Sequence, residues 1–346
     1  MNRTPLAKSG LALAAVLAAA TVAGCSEPTW TTPVTGLGPV VLSVWGSSPT
    51  NVWAVGGTCD AAKGCPATSE GLILHFDGTT WTRLPAPKPV VYWWVFGLSP
   101  SDVWISGEND TILHWDGTAL SVSHTGTDPT DKLFGIWGSS STDIWAVGGR
   151  PDMTSTVLHY DGTTWGPAVG APGLASNFFK VWGSGQGDVW IVGPKASLVH
   201  FDGHTWGPFI DVSGAGLAAN EWLVTVAGRA ANDVYAVGGS PSQGKAIHYN
   251  GMNWQPVAGL SLSATSLLTG VYESAAGDVA ITGLSGAKFI GKGESWHDWS
   301  LQQPLVDLHA VWMAGPEDVF AVGGSYFTLT KGVVAHFGGA VPGTLK

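Results

Sequence analysis

The chain has 346 residues, among them 49 Gly, 21 Pro and 19 Trp, and 12% are charged. So many turn formers in so long a chain exclude a helical protein and a single small domain. A net charge of −10 with no Lys/Arg-rich run excludes the electrostatic footprint of a nucleic-acid binder, and a hydrophobic fraction of 45% excludes disorder, because that much apolar surface can offset chain entropy.

In chain order, the first element is a secretory segment. Arg3 and Lys8 give a positive start, and residues 10–20 form an almost unbroken apolar run, shorter than the ~20 residues a membrane-spanning helix needs. The segment ends Val22-Ala23-Gly24-Cys25, which resembles the lipobox of bacterial lipoproteins. That resemblance implies cleavage after residue 24 and acylation of the Cys25 thiol, whose chains would hold the protein at a membrane. The alternative is an ordinary secreted protein with an incidental cysteine. Ser26 follows Cys25, not the Asp that signals inner-membrane retention in some bacteria, so the expected address is the outer membrane or cell surface of the envelope. Export to an oxidising compartment predicts a loop-stapling disulfide between Cys59 and Cys65. A metal site there would have only Asp60 and Glu70 to complete it, so neither metal nor cofactor is expected.

The remainder repeats. Val44-Trp45-Gly46-Ser47-Ser48 and Asn51-Val52-Trp53-Ala54-Val55-Gly56-Gly57 recur as Ile136-Trp137-Gly138 and Asp143-Ile144-Trp145-Ala146-Val147-Gly148-Gly149. The leading pair returns as Val95-Phe96, Val181-Trp182, Val226-Ala227, Val271-Tyr272 and Val311-Trp312. Seven units within residues 25–346 give a period of about 46, the signature of a propeller or solenoid. Each unit has four short stretches of β-branched and aromatic residues; in unit three they are 133–138, 143–149, 156–160 and 164–169. Between the third and fourth stretches lies Asp77-Gly78, Asp116-Gly117, Asp161-Gly162, Asp202-Gly203 or Asn250-Gly251, which predicts two-residue hairpins. The expected fold is therefore all-β: one seven-bladed β-propeller of four-stranded antiparallel blades spanning 25–346, after a signal peptide of 1–24. Unit seven stops at His336-Phe337-Gly338-Gly339, and Glu27-Pro28-Thr29-Trp30-Thr31 supplies its missing fourth strand.

Val147-Gly148-Gly149, Tyr160 and Trp165 are spaced in a way that is similar to kelch repeats. The run from Asp77 to Trp81 resembles the Asp-box hairpins of sialidase-like propellers, without the residue that box places between Asp and Gly. The phrase Trp-Gly-Ser-Ser with Asp-Val-Trp-Ala-Val-Gly looks like the tandem-repeat lipoproteins of some envelope-rich bacteria. These resemblances imply a fold more firmly than an activity.

The recurring polar residues read as scaffold. His75, His114, His159, His200, His248 and His336 share one third-strand position, and Ile290 takes it in unit six. An apolar substitute points to packing, with each imidazole finding a local partner. Asp102, Asp143, Asp188, Asp233, Asp278, Asp318 and Asn51 open the second strands, where capping of turn amides is expected. Trp45, Trp53, Trp81, Trp104, Trp137, Trp145, Trp165, Trp182, Trp190, Trp206, Trp254 and Trp312 should pack between blades. No hydrolase elbow, zincin helix or phosphate loop is present. Only Arg83, Arg150 and Arg229 remain beyond the signal peptide, too scattered for a sialidase-like clamp on a substrate carboxylate.

Variation is confined to the loops between second and third strands and between blades, which propeller topology puts on one face. Loops on a rigid scaffold commonly carry recognition. They contribute Trp93, Trp94, Glu108, Asp110, Arg150, Asp152, Lys195, Trp222 and Tyr326, the candidate ligand face; Tyr92, His124, Phe178, Phe179 and Glu221 stand at blade entries. The expectation is a monomeric, noncatalytic, membrane-anchored binding or scaffold protein of the envelope, recognising protein or glycan. A polysaccharide hydrolase or lyase is the alternative, with Glu108 and Asp110 or Glu221 and Glu273 as paired carboxylates.

Overall fold

In the computed structural model, residue 1 and residues 28–59, 69–128, 130–150, 154–262 and 265–346 are described. Cys25, Cys65 and Asp152 lie outside them. Seven blades surround a central axis, each running antiparallel from an inner to an outer strand. Blade 2 is Tyr92–Ser99, Asp102–Gly107, Ile112–Trp115 and Leu120–His124, and blade 3 is Lys132–Ser140, Asp143–Gly149, Ser155–Tyr160 and Trp165–Pro167. Blade 4 has Lys180–Gly185, Asp188–Gly193 and Ser197–Phe201, with a single bridge to Trp206 standing for its outer strand. Blade 5 comprises Trp222–Ala230, Asp233–Ser240, Gln243–Tyr249 and Trp254–Pro256; blade 6 comprises Leu268–Glu273, Val279–Gly283, Lys288–Lys292 and Ser295–Asp298.

Blades 7 and 1 share a strand. Thr29–Ser48 is continuous over 20 residues. Its first half pairs antiparallel with Thr330–Gly338, outside Leu308–Gly315 and Asp318–Ser325, and its second half is the inner strand of Asn51–Thr58, Glu70–Phe76 and Trp81–Arg83. Trp30 stands opposite Phe337, the slot that Trp81 fills opposite Phe76, Trp165 opposite Tyr160 and Trp254 opposite Tyr249. The ring thus closes through the N-terminal strand, as its sequence predicts. The C-terminus adds a second closure: Trp81 N donates to Thr344 O and Lys346 N to Trp81 O, both at 2.9 Å, in a parallel bridge that covers the outer edge of blade 1.

The repeated residues build one lattice between blades. The second-strand Trp lies against its own blade's His and reaches the aromatic pair of the next blade. Trp104 is 4.0 Å from His114 and 5.6 Å from Tyr160; Trp190 is 4.0 Å from His200 and 5.2 Å from Tyr249. Phe320 plays this part across the seam, 4.5 Å from His336 and 6.3 Å from Phe76. In blade 6 the Trp becomes Ala280, and the His becomes Ile290 with it; both pack with Trp30 and Phe337. With no indole to stack on, the imidazole has lost its aromatic partner.

The Trp-Gly dipeptide has a steric cause. The inner-strand indole covers the glycine of the following blade: a Cβ on Gly183 would lie 2.7 Å from Trp137, and one on Gly46 would lie 2.8 Å from Trp312. Only a bare Cα admits so close an approach.

Two expectations need correction. The Asp-Gly turns are four residues long, not two: Phe76 pairs with Trp81, and Asp77 Oδ1 accepts the amides of Thr79 and Thr80 at 2.8 Å. Gly78 supplies the left-handed conformation with φ of 90°, and the carboxylate closes the loop as an Asx turn. The second-strand acids do not chiefly cap turns. Except for Asp278, whose blade has Ile290 in place of the histidine, their Oδ1 atoms accept Nε2–H from the third-strand histidines, at 2.8 Å for Asp102–His114, 2.7 Å for Asp143–His159 and 2.9 Å for Asp318–His336. Asn51 does the same for His75 at 2.8 Å. The imidazole N–H across the strand pair takes the carboxylate in place of the local amides, and the bond also orients the ring that stacks on the second-strand aromatic.

Candidate functional site

The inner strands converge on one end of the axis. Two residues before the leading pair of each unit, the seven blades present Leu42, Trp93, Phe134, Phe179, Val224, Thr269 and His309, and all seven line a single cavity of about 360 Å³. One register position, repeated by the fold, thus meets itself around the axis. The aromatic members touch edge to face: Trp93–Phe134 centroids are 4.9 Å apart, Phe134–Phe179 6.3 Å, and Phe179–Trp222 6.4 Å, the arrangement that ring quadrupoles favour. Trp94, Lys132, Asn177, Lys180 and the second-to-third-strand loop residues Pro241, Leu284, Tyr326 and Phe327 complete the wall.

The cavity is apolar with few polar groups. Lys180 Nζ donates to Phe134 O at 2.7 Å and lies 4.3 Å from the Trp94 ring centroid; burial pushes its pKa down to about 7. His309 is buried, its pKa driven down to about 4 by burial, and its Nε2 has no hydrogen-bond partner. Local desolvation of the Tyr326 hydroxyl, on a residue that is otherwise partly exposed, raises its pKa. Because folded Lys180 loses its proton near pH 7 and the unfolded side chain near 10.5, the unfolded chain binds more protons between those values. Stability should therefore rise with pH across that window. Lys288, held by the carbonyls of Gly286, Gln302 and Pro304 at 2.7, 3.0 and 3.0 Å and lowered by burial to about 8, acts in the same sense. Subtracting a Lys180→Met variant isolates the cavity lysine: the wild-type-minus-variant stability, from urea melts, should climb from pH 7 to pH 10. A flat difference would show Lys180 to be fully solvated.

The candidate ligand face divides. Trp93, Trp94, Trp222 and Tyr326 meet in the cavity. Glu108 is 1% exposed and is occupied: its carboxylate accepts from Lys132 Nζ at 2.9 Å and from Ser69 Oγ at 3.1 Å, bracing blades 1 to 3. Asp110 is buried beside it, and burial, with Asp131 nearby, raises its pKa to about 6. Arg150 is bound to Asp131 and lies 2.9 Å from Asp128, tying the link between blades 2 and 3. Lys195 is solvent-exposed at a turn with φ of 57°. Glu221 caps the Ala218 amide at 2.7 Å, whereas Glu273 ends an inner strand at the other end of the axis, 2.9 Å from Arg229. The pair proposed for glycoside chemistry is therefore split between faces. Burial and the Asp233 charge raise Glu273 to about 7. Tyr92, Phe178 and Glu221 are buried, and His124 ends an outer strand. Cys59 is disulfide-bonded; its expected partner, Cys65, is outside the described residues.

A wider groove of about 770 Å³ lies between blades 3 and 4. Its acids are engaged: Asp143 with His159, Asp161 and Asp202 with turn amides. Sequence reasoning missed Phe134, Lys180 and His309 as cavity residues, although counting back two or one from each repeated pair would have located them. Among the described residues, no helix is long and apolar enough to cross a membrane.

No protein-family model and no curated protein matches the sequence. Solved structures do match in fold. A structure described as YCF48 bound to D1 peptide is similar over 91% of this chain and all of its own, with 14% identity and a TM-score of 0.63. The WD40 β-propeller domain of Doa1 covers 91% of this chain and 99% of its own at 12% identity and TM-score 0.61. YCF48 from Cyanidioschyzon merolae covers 90% and 99% at 13% identity and TM-score 0.61. The chain is a β-propeller.

Proposed function

We propose that this chain is a noncatalytic, protein-binding propeller, tethered in the bacterial envelope through Cys25 and engaging its partner at the axial cavity. The observation that carries the reading is the sevenfold convergence of one register position into an apolar, aromatic-walled cavity of about 360 Å³, within the size range of ligand-binding cavities. Its rim is apolar and open, with Trp222 39%, Tyr326 41% and Phe327 84% exposed, as surfaces that meet other proteins are. Protein is favoured over glycan because no carboxylate lines the cavity among the described residues, whereas sugar hydroxyls are held by acceptor-rich sites. The structural likeness to a propeller carrying a bound peptide is consistent with this reading. The tether rests on the lipobox-like Val22-Ala23-Gly24-Cys25.

The test uses the full chain in mild detergent, and a Cys25→Ser form. Wild type should enrich an envelope protein that a Trp93→Ala/Trp222→Ala double variant with unchanged circular dichroism does not, and a glycan array should stay silent. Saturable glycan binding that the double variant loses would replace the protein reading. Cys25→Ser should move the chain from the membrane to the soluble fraction; unchanged fractionation would remove the tether.

A further inference from the structure

The axial cavity carries charge of one sign in a chain whose charge is the other. Acids outnumber Lys and Arg by 25 to 15, yet the ionisable cations of the lining are Lys132 and Lys180, with no carboxylate among the described lining residues. Lys132 is neutralised by Glu108 at 2.9 Å. Lys180 has no ion-pair partner among the described residues; its ammonium has one carbonyl, Phe134 O, and the face of Trp94. A cation partly withdrawn from water and without a counter-ion is unfavourable unless something else supplies the opposite charge. His309 lies in the same wall, 5% exposed, with Nε2 unpartnered, and the Thr269 hydroxyl is committed to Leu308 O. The apolar surface continues outward through Tyr326 and Phe327, which are 41% and 84% exposed.

We propose that the cavity seats an apolar side chain of a partner polypeptide together with an adjacent carboxylate that pairs with Lys180. This rests on the protein-binding reading above and specifies its ligand. The pairing is coupled to a proton. Burial pushes Lys180 down to about 7, so above that pH a carboxylate binds only as the amine takes up a proton, and affinity falls about tenfold per pH unit. The neighbouring groups leave that window to Lys180: His309 is driven to about 4, with Asp307 beside it, Tyr326 is raised, and Lys132 is held by Glu108.

The probe is an array of short peptides in which Phe, Tyr, Trp or Leu precedes either Asp or Asn, titrated calorimetrically against the full chain in detergent, alongside 3-phenylpropanoate and its amide. Asp peptides should bind at least tenfold tighter than their Asn counterparts. Lys180→Met should abolish that preference without weakening the Asn peptides, and Lys180→Arg should keep it. Wild type alone should show proton uptake at pH 8, seen as binding heat that changes with buffer ionisation enthalpy, which needs no variant to fold. Equal binding of Asp and Asn peptides, or no proton uptake, would overturn the carboxylate pairing and leave the protein-binding cavity standing. Failure of every peptide would remove both, and binding of free 3-phenylpropanoate without any Asp peptide would replace the polypeptide with a small acid.

Discussion

A chain that begins at residue 40 should show no cooperative thermal transition and should bind a hydrophobic dye. Without residues 29–39, blade 7 loses its outer strand, and Val333, Ala335 and Phe337, all below 10% exposed, are uncovered along an unpaired edge. The continuous strand also joins the two ends of the ring, so its loss opens the seam where Phe320 meets Phe76 and Trp81. The point variant Trp30→Ala keeps the strand and isolates the side chain. Trp30 is 7% exposed, 5.5 Å from Phe337, and in the same cluster as Ile290 and Val319. Truncating so large a buried ring costs ~3–5 kcal/mol, a large share of the ~5–15 kcal/mol of a typical domain. The melting temperature should fall by roughly 5 °C; a fall within error would mean that the N-terminal strand is only adhering to a ring already closed.

Asp143→Ala should be the next most damaging change, and Asp278→Ala should be nearly silent. Asp143 is 2% exposed and accepts from His159, Trp145 and Ser139. Although burial opposes its ionisation, the hydrogen bonds from His159 and Ser139 hold its carboxyl below the usual range. Removing it strands an imidazole and an indole N–H in the lattice between blades 3 and 4, at ~1–3 kcal/mol per unsatisfied group, so a loss of ~2–4 kcal/mol is expected in urea melts. Asp278 opens the corresponding strand of blade 6, but Ile290 faces it where a histidine would be. Among the described residues its carboxylate has only Ser274, whose Oγ donates at 3.5 Å, and Lys292 at 3.8 Å. Its removal should cost under ~1 kcal/mol. Equal losses at the two positions would mean that the acid acts on its own turn and not through the histidine.

The repeat made the architecture legible, because each strand type carries its own marker and a missing marker at one terminus reappears at the other. Trp30 at the head of the chain answered the empty slot beside Phe337. The turn acids were harder: an Asp before a strand can accept from its own turn or from a ring two strands away, and single-residue spacing does not separate these. Ile290 held the clue, since it changes together with Ala280. The site was partly legible. Irregular loops pointed to the end of the axis where Trp93, Trp94, Trp222 and Tyr326 line one cavity. Glu108 and Arg150 looked free because their partners, Lys132 and Asp131, sit in another loop or blade and are brought together only by the fold. Lys180 was hidden for the opposite reason, a lysine at a strand start being ordinarily solvent-facing.

The polarity of the shared strand fixes the end of the axis at which that strand begins. Thr29 lies opposite Gly338, at the turn-bearing end of a third strand whose other end, Thr330, follows the Tyr326 loop. Nine strand residues put ~30 Å between those ends, and the four-residue step from Cys25 to Thr29 adds at most ~14 Å of reach. With an acyl chain on Cys25, the bilayer would sit under the hairpin side like a floor, and the aromatic mouth would face the aqueous phase. Such a mounting would exclude lipid as the occupant and would let a partner from the aqueous compartment dock without approaching the headgroups.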